Sequence, residues 1–254
     1  MSLLKDMIGI VGGMGSHATV SMFRQLINHS PAKTDQEYME VLIHNNTCIP
    51  DRTQGLLYNG SDPLPEMIRS VKLLEQCGAT IIVLACITAH NYYDQLAESL
   101  EKARLFHVVK ETADYACHTY PHVKKVGVLA TEGSLKTNLW KNEFNHRDID
   151  TLMLSDHDQM EYFNNVIYGS KGIKAGYQGD HLKSKLLEGC NQLREMGAEV
   201  IIGACSELPL LISQRDLHIP YIDSMQVAVK KLIEQYYRHT SITNEPILPP
   251  FSRE

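Results

Sequence analysis

The sequence predicts an α/β protein made of two similar parallel-sheet domains, with a ligand site in the cleft between them. Three observations predict it. Short apolar runs alternate with longer amphipathic stretches along most of the chain. Matching segments recur in the two halves at almost one displacement. A cysteine stands at the same place in each half.

The alternation sets the class. Candidate strands are Ile8–Val11, Val41–His44, Ile81–Leu84, Val126–Leu129 and Val200–Ile202. Between them, stretches such as Ala18–Asn28 and Leu64–Gln76 repeat apolar residues at three- and four-residue spacing, the helical period. Strands alternating with helices imply parallel sheets with helical crossovers. Ligands of such sheets bind beyond the carboxyl ends of the strands.

The duplication sets the organisation. IGIVGGMGS from Ile8 resembles VGVLATEGS from Val126, a displacement of 118 residues. GATIIVLACITAH from Gly78 resembles GAEVIIGACSELP from Gly197, a displacement of 119. Two matches in the same order point to an internal repeat. The first domain is expected to comprise residues 1–115 with the returning segment 221–254, and the second residues 116–220. Under the 119-residue shift Cys86 falls on Cys205. Each follows an apolar strand and precedes an expected helix, Asn91–Lys102 for the first and Leu208–Ile212 for the second. The two thiols are therefore expected at helix N-termini on opposite walls of one cleft.

Bulk properties narrow the function. A net charge of −6 without a Lys/Arg-rich run argues against a nucleic-acid surface. No stretch reaches the roughly 18 apolar residues of a membrane span. The opening MSLLKDMIGIVGG holds Lys5 and Asp6 and predicts a first strand, so the expected compartment is the cytoplasm. There the six cysteines are expected to be reduced. None forms a CxxC pair, and His118 and His122 are split by Pro121, so no metal site is predicted.

Two thiols across a cleft suit a particular chemistry. A helix N-terminus offers partial positive charge and free N–H groups, which favour thiolate. A thiolate on one face of a carbon and a thiol on the other can move a proton from face to face, and reversing the reaction swaps their roles. The charge that develops on the substrate then needs hydrogen-bond donors. Thr88, Thr131, Ser134 and Ser206 lie in the loops that would supply them, and each also suits a helix cap.

These residues resemble a known family. ACITAH around Cys86 is similar to the ACNTAH motif of the aspartate/glutamate racemases, and ACSELPLL around Cys205 to their GCTE-type motif. GGMGSHAT, NNTCIPDRT, GVLATEGSLKT and IYGSKGIKAG match further family segments in order, from residue 8 to about 224. The resemblance, closest to aspartate racemase, implies racemisation of an acidic amino acid without pyridoxal phosphate, other cofactor or metal. It implies Cys86 and Cys205 as the two bases, Arg52 as reader of the side-chain carboxylate, and Lys174 as a second positive charge. Gly13, Met14 and Asn46 from the early loops, and Glu207 beside Ser206, join the implied binding set. A homodimer is plausible on the same basis. Ile87 stands where the family motif has asparagine, so carboxylate or amine binding there is expected to weaken or to be supplied elsewhere, with Asn45, Asn46 and Asn91 as the candidates.

Other readings compete. Gly13–Ala18 fits a dinucleotide-binding glycine pattern, but the second strand is followed by Asn45-Asn46 rather than an acidic residue. A cysteine hydrolase would pair Cys86 with His90 as base and leave Cys205 without a role. A maleate isomerase-like enzyme would also use two cysteines. Ile87 leaves room for a racemase of altered substrate, or for a non-catalytic amino-acid-binding homologue.

Overall fold

The computed structural model describes residues 6–238. The outermost parts of the expected first domain, 1–5 and 239–254, lie outside the described residues.

Among the described residues, eight strands form two four-stranded parallel sheets. The first contains β1 (Met7–Gly12), β2 (Glu40–Asn45), β3 (Ile81–Leu84) and β4 (Arg104–Leu105), in the order β2-β1-β3-β4. The second contains β5 (Lys125–Ala130), β6 (Asp150–Leu152), β7 (Val200–Ala204) and β8 (Tyr221–Asp223), in the order β6-β5-β7-β8. The order is the same, and so is the central register: Ile8 faces Ile81 as Val126 faces Val200. The repeat legible in the sequence is a repeat of topology. In both sheets the direction of winding reverses between the two central strands. The carboxyl ends of β1, β3, β5 and β7 are thus the places where ligand-binding loops are expected.

Strand periodicity sorts the core into three layers. Ile8, Ile10, Ile81 and Val83 from the first sheet, and Val126, Val128, Val200 and Ile202 from the second, point into one shared apolar cluster. The helices α1 (Ser16–His29), α5 (Val108–Thr119) and α11 (Ser224–Tyr237) fill it, α11 packing on both of the others. The alternate residues Val11, Ile82 and Leu84 face an outer layer with α3 (Leu64–Gln76), where Met67, Val71 and Leu74 are buried. Leu129 and Ile201 face a matching outer layer with α10 (Asp180–Glu195), through Leu186, Cys190 and Leu193. Cys86 and Cys205 continue the outward-facing rows of β3 and β7, one in each outer cluster.

Helices between these elements position the site. α2 (Arg52–Leu57) starts at Asp51, whose side chain accepts from the Gln54 N–H. α4 is Tyr93–Glu98, α6 is Glu132–Lys136 and α7 is Leu139–Asn145. Thr131 caps α6, as expected. In the second half, α8 (Asp156–Gln159) passes through a π-turn (Met160–Asn164) into α9 (Asn165–Tyr168). The Gln159 side chain is anchored there, donating to the Ala130 carbonyl at 2.9 Å and to Asn164 at 3.0 Å.

The two expected helices after the cysteines are corrected. Cys86 is followed by a 3₁₀ segment, Thr88–Tyr92, and only then by α4, which ends at Glu98. Cys205 is followed by a single 3₁₀ turn, Leu208–Leu210. Three residues align few peptide dipoles, so Cys205 lacks the helix N-terminus expected for it.

Candidate active site

Loops from both sheets close on one small cavity. Cys86 and Thr88 come from the end of β3, Thr131 from the end of β5, and Cys205, Ser206 and Glu207 from the end of β7. Asp51, Arg52 and Thr53 enter after β2, and Tyr168 and Lys174 after β6. The cavity measures about 10 Å³, room for about one water molecule. It adjoins an outer cleft of about 310 Å³, which shares Asp51, Arg52, Lys174 and Glu207 and is lined further by Gly13, Met14, Ser16 and His17.

Two glycines let the halves meet. A Cβ on Gly15, after β1, would lie 2.5 Å from Glu207 Oε1. A Cβ on Gly133, after β5, would lie 2.7 Å from Thr53 Oγ1 and 3.0 Å from Thr88 Cγ2. Gly15 and Gly133 are equivalent under the repeat, as are Glu207 and Thr88. Each half therefore pushes the loop after its first strand against the loop after the other half's third strand.

Arg52 is 6% exposed. Its guanidinium donates to the Met14 carbonyl at 2.8 Å and to the Pro50 carbonyl at 2.9 Å. Burial works against its charge, but Cys86, Asp51 and Tyr168 outweigh burial and hold it above the ordinary guanidinium range. Its Nε and the Thr53 hydroxyl are buried without a hydrogen-bond partner among the described residues, donors that a bound carboxylate would satisfy.

Lys174 joins the same network. Its Nζ donates to Met14 O at 2.8 Å and pairs with Glu207 Oε1 at 2.8 Å. Burial opposes its charge, while Glu207 and Cys86 raise its pKa overall. Glu207 is 3% exposed. Burial pushes its carboxyl up, yet Lys174, Cys205 and Ser206 together hold it below the usual carboxylate range.

Cys205 donates its S–H to Glu207 Oε2 at 3.0 Å. Burial first, and the Glu207 charge second, push this thiol well above its ordinary range. The thiolate-favouring environment expected at Cys205 is thus reversed, because a buried carboxylate occupies the place imagined for a helix dipole.

The hydroxyls form a chain. Thr88 and Thr131 share a hydrogen bond of 2.7 Å, and Thr131 and Ser134 one of 3.1 Å. Ser134 stands behind Thr131, outside the cavity lining. Thr88 and Ser206 make no side-chain cap, unlike Thr131. Asn46 is turned away altogether. Its amide donates to Ser70 Oγ and to Glu66, and its oxygen accepts from the Cys48 N–H, so it braces the chain after β2. Asn45 bonds Ser16 and Asn91 bonds the Thr88 carbonyl. None of the three asparagines lines either cavity, so none supplies the amide absent at Ile87. Ile87 lines the inner cavity while its side chain packs in the shared core, at 1% exposure.

His90 is removed as a base for Cys86. Its Nδ1 contacts the carbonyls of Cys86 and Ile87 at 3.2 Å each, and the Val108 N–H donates to Nε2 at 3.2 Å. Nε2 accepts, so the proton sits on Nδ1. Burial, with His107 nearby, brings its pKa down to about 3. The ring is a neutral brace for the Cys86 loop, and the hydrolase reading loses its base.

Sequence reasoning missed Asp51, Thr53 and Tyr168. Tyr168 leaves 40% of its surface exposed but turns its phenol inward, beside Thr53, where burial and the charges of Cys205 and Asp51 raise its pKa well above the ordinary range. Lys174 Nζ stands 5.7 Å from the centre of its ring. All three lie in segments that carried the family resemblance, Asp51 and Thr53 on either side of Arg52 and Tyr168 six residues before Lys174.

Among the described residues no three His, Cys, Asp or Glu side chains gather as a metal site, and no helix is long and apolar enough to cross a membrane.

Comparison with known proteins agrees with this architecture. The broad specificity amino-acid racemase RacX of Bacillus subtilis (strain 168) is 26% identical over 239 residues, covering 92% of this chain and 100% of that protein. The solved structure of Picrophilus torridus aspartate racemase superposes with a TM-score of 0.75 at 25% identity, over 91% of this chain and 97% of that one. Glutamate racemase isoform RacE1 from Bacillus anthracis shares the fold, with a TM-score of 0.65 at 16% identity, over 96% of this chain and 86% of that one. Residues 11–232 match the family described as Asp/Glu/Hydantoin racemase, and the chain belongs to that family.

Proposed function

We propose that this racemase interconverts the L and D forms of aspartate or glutamate by two-base 1,1-proton transfer between Cys86 and Cys205, without a cofactor. The observation that carries the reading is the arrival of two thiols, from equivalent positions of a duplicated fold, at one cavity beside two cations. Arg52 holds a substrate carboxylate through its open donor, and Lys174 adds charge from the other half. One sulfur, as thiolate, takes the α-proton, and the electron pair moves onto the α-carboxylate. The other sulfur gives its proton to the opposite face. Thr53 carries the open hydroxyl for the charge that develops, while Thr88, Thr131 and Ser206 line the same cavity with their hydroxyls already hydrogen-bonded. The domain division at about 115 and 221, with the second boundary moved just past β8 because Tyr221–Asp223 pair with β7, a cytoplasmic location and a homodimeric state belong to the same proposal.

The test is α-proton exchange in D₂O across a panel of L- and D-amino acids, followed by NMR. Exchange with loss of optical rotation is expected for aspartate or glutamate. Exchange with no acidic amino acid would sink the named activity.

A second reading is racemisation of a wider range of amino acids. Isoleucine at position 87 and the broad specificity named for the Bacillus subtilis relative favour it. The outer cleft would accommodate side chains longer than that of aspartate. Exchange with several neutral amino acids in the same panel would establish this range.

A further inference from the structure

We propose that Glu207 is a positioning residue that keeps Cys205 protonated in the resting site, so that Cys205 begins as the acid and Cys86 as the base. The inference rests on the racemase reading and adds to it an assignment of roles that the duplication alone leaves symmetric.

The geometry is specific. Cys205 Sγ donates to Glu207 Oε2 at 3.0 Å, and Ser206 Oγ donates to the same oxygen at 3.1 Å. The other oxygen, Oε1, is held by Lys174 at 2.8 Å, and Lys174 is itself fixed to Met14 O. Lys174 therefore anchors the carboxylate while leaving Oε2 to accept from the thiol. Cys205 and Glu207 are each 3% exposed, so water does little to screen the pair.

The repeat supplies an internal control. The residue equivalent to Glu207 beside Cys86 is Thr88, a neutral side chain whose hydroxyl is engaged with Thr131 at 2.7 Å. The charged groups that face Cys86 are the guanidinium of Arg52 and the ammonium of Lys174, and Lys174 also bears on Cys205. The difference between the two thiols is therefore Arg52 beside one and the Glu207 carboxylate beside the other. A carboxylate that accepts an S–H bond disfavours the thiolate of that sulfur through repulsion and through loss of the bond.

The proton count follows. In the direction that starts from the resting form, the α-proton passes to Cys86 Sγ and the electron pair to the substrate carboxylate. Cys205 then delivers its own proton to the opposite face and is left as thiolate beside Glu207. Proton exchange with solvent after product release restores the resting form. The equilibrium constant of a racemisation is one, so kcat/KM stays equal in the two directions whatever Glu207 does. The asymmetry must therefore be read on the sulfurs.

The experiment is iodoacetamide alkylation of the free, full-length protein across pH, followed at each cysteine by peptide mass spectrometry. The pH midpoint of alkylation is expected about one unit or more higher for Cys205 than for Cys86. In Glu207→Gln the Cys205 midpoint should fall by about one unit or more while that of Cys86 stays. A purely packing role for Glu207 would change the limiting rate and leave the midpoint. Glu207→Asp, which withdraws the carboxylate from Sγ by one methylene, serves if the amide variant fails to fold and should move the midpoint the same way. Equal midpoints in the unaltered protein, or an unmoved Cys205 midpoint in the folded variant, overturn the proposal. Unequal midpoints in a protein that exchanges no α-proton overturn the racemase reading instead, so the two failures are distinguishable.

Discussion

The two halves share strand order, central register and the placement of one cysteine, yet they differ in what surrounds that cysteine. In the first half the Cys86 loop is braced by a neutral, fully buried histidine and faces Arg52. In the second, the Cys205 loop ends in one 3₁₀ turn and carries a buried carboxylate held by Lys174. Backbone geometry repeats because sheet packing constrains it. Side chains at the strand ends are free of that constraint, and a neutral threonine stands beside one sulfur where a carboxylate stands beside the other. A duplicated fold can thus keep two equivalent positions and give them unequal surroundings.

The comparison breaks most severely at the sulfurs. Cys86→Ser and Cys205→Ser should each lower racemisation by roughly 10²–10⁴-fold, the range for loss of a positioned acid or base. Polarimetry in both directions checks this. A variant that kept most activity would show that the halves do not share one reaction.

Arg52→Lys is the next largest effect. A lysine keeps the charge but cannot span both carbonyls and a substrate carboxylate, so a loss of kcat/KM on the order of 10–100-fold is expected. Lys174→Arg should cost less, since its present contacts use a single Nζ. Steady-state kinetics on both variants ranks the two cations.

The reciprocal glycines sharpen the comparison further. Gly133→Ala drives a methyl against Thr53 Cα at 3.1 Å as well as against side chains, so it should destabilise by about 1–3 kcal/mol in urea titrations. Gly15→Ala meets only the end of the Glu207 side chain and the more distant Lys174 Nζ, so its stability cost should be the smaller. Its main effect should fall on the Cys205 environment, visible as a changed alkylation midpoint.

The smallest expected effect is a slope. His90 has its folded pKa lowered from 6.5 to about 3, so the unfolded chain binds more protons between those values. Its contribution to stability is complete above about pH 6.5 and is lost as pH falls toward 3. Asp223 in the second half, which accepts from the Met225 and Gln226 N–H groups, has its pKa raised by burial to about 6. It binds its proton more tightly when folded, so it opposes that slope from about pH 4 to 6. Asp223→Asn keeps a capping side chain and should steepen the acid loss of stability, measured by urea midpoints from pH 7 to 4.

Much of this was legible in the sequence, for identifiable reasons. All five expected strands lie within observed ones: β1, β3, β5 and β7 are central strands buried on both faces, which read as apolar runs, and β2 is a half-buried edge strand that keeps a Val-Leu-Ile run. β4, β6 and β8 span only two or three residues, too few for a pattern. Cys86, Cys205, Arg52, Lys174 and Glu207 converge on the cavity as the repeat and the family segments suggested. Asn46 failed because sequence does not tell which way a side chain turns after a strand. It serves Ser70 and Glu66 instead. Tyr168 was hidden because the helix that delivers it contains a π-turn, which breaks the 3.6-residue count used to place side chains.

The shared apolar layer has a mechanical meaning. One cluster joins the inner faces of both sheets through α1, α5 and α11, so prising the halves apart at the back would expose it to water. The molecule is joined along its spine, and it should melt as a single cooperative unit. A chamber with room for about one water must therefore gain its space at the front, where Tyr168 keeps 40% of its surface in solvent over a phenol turned inward.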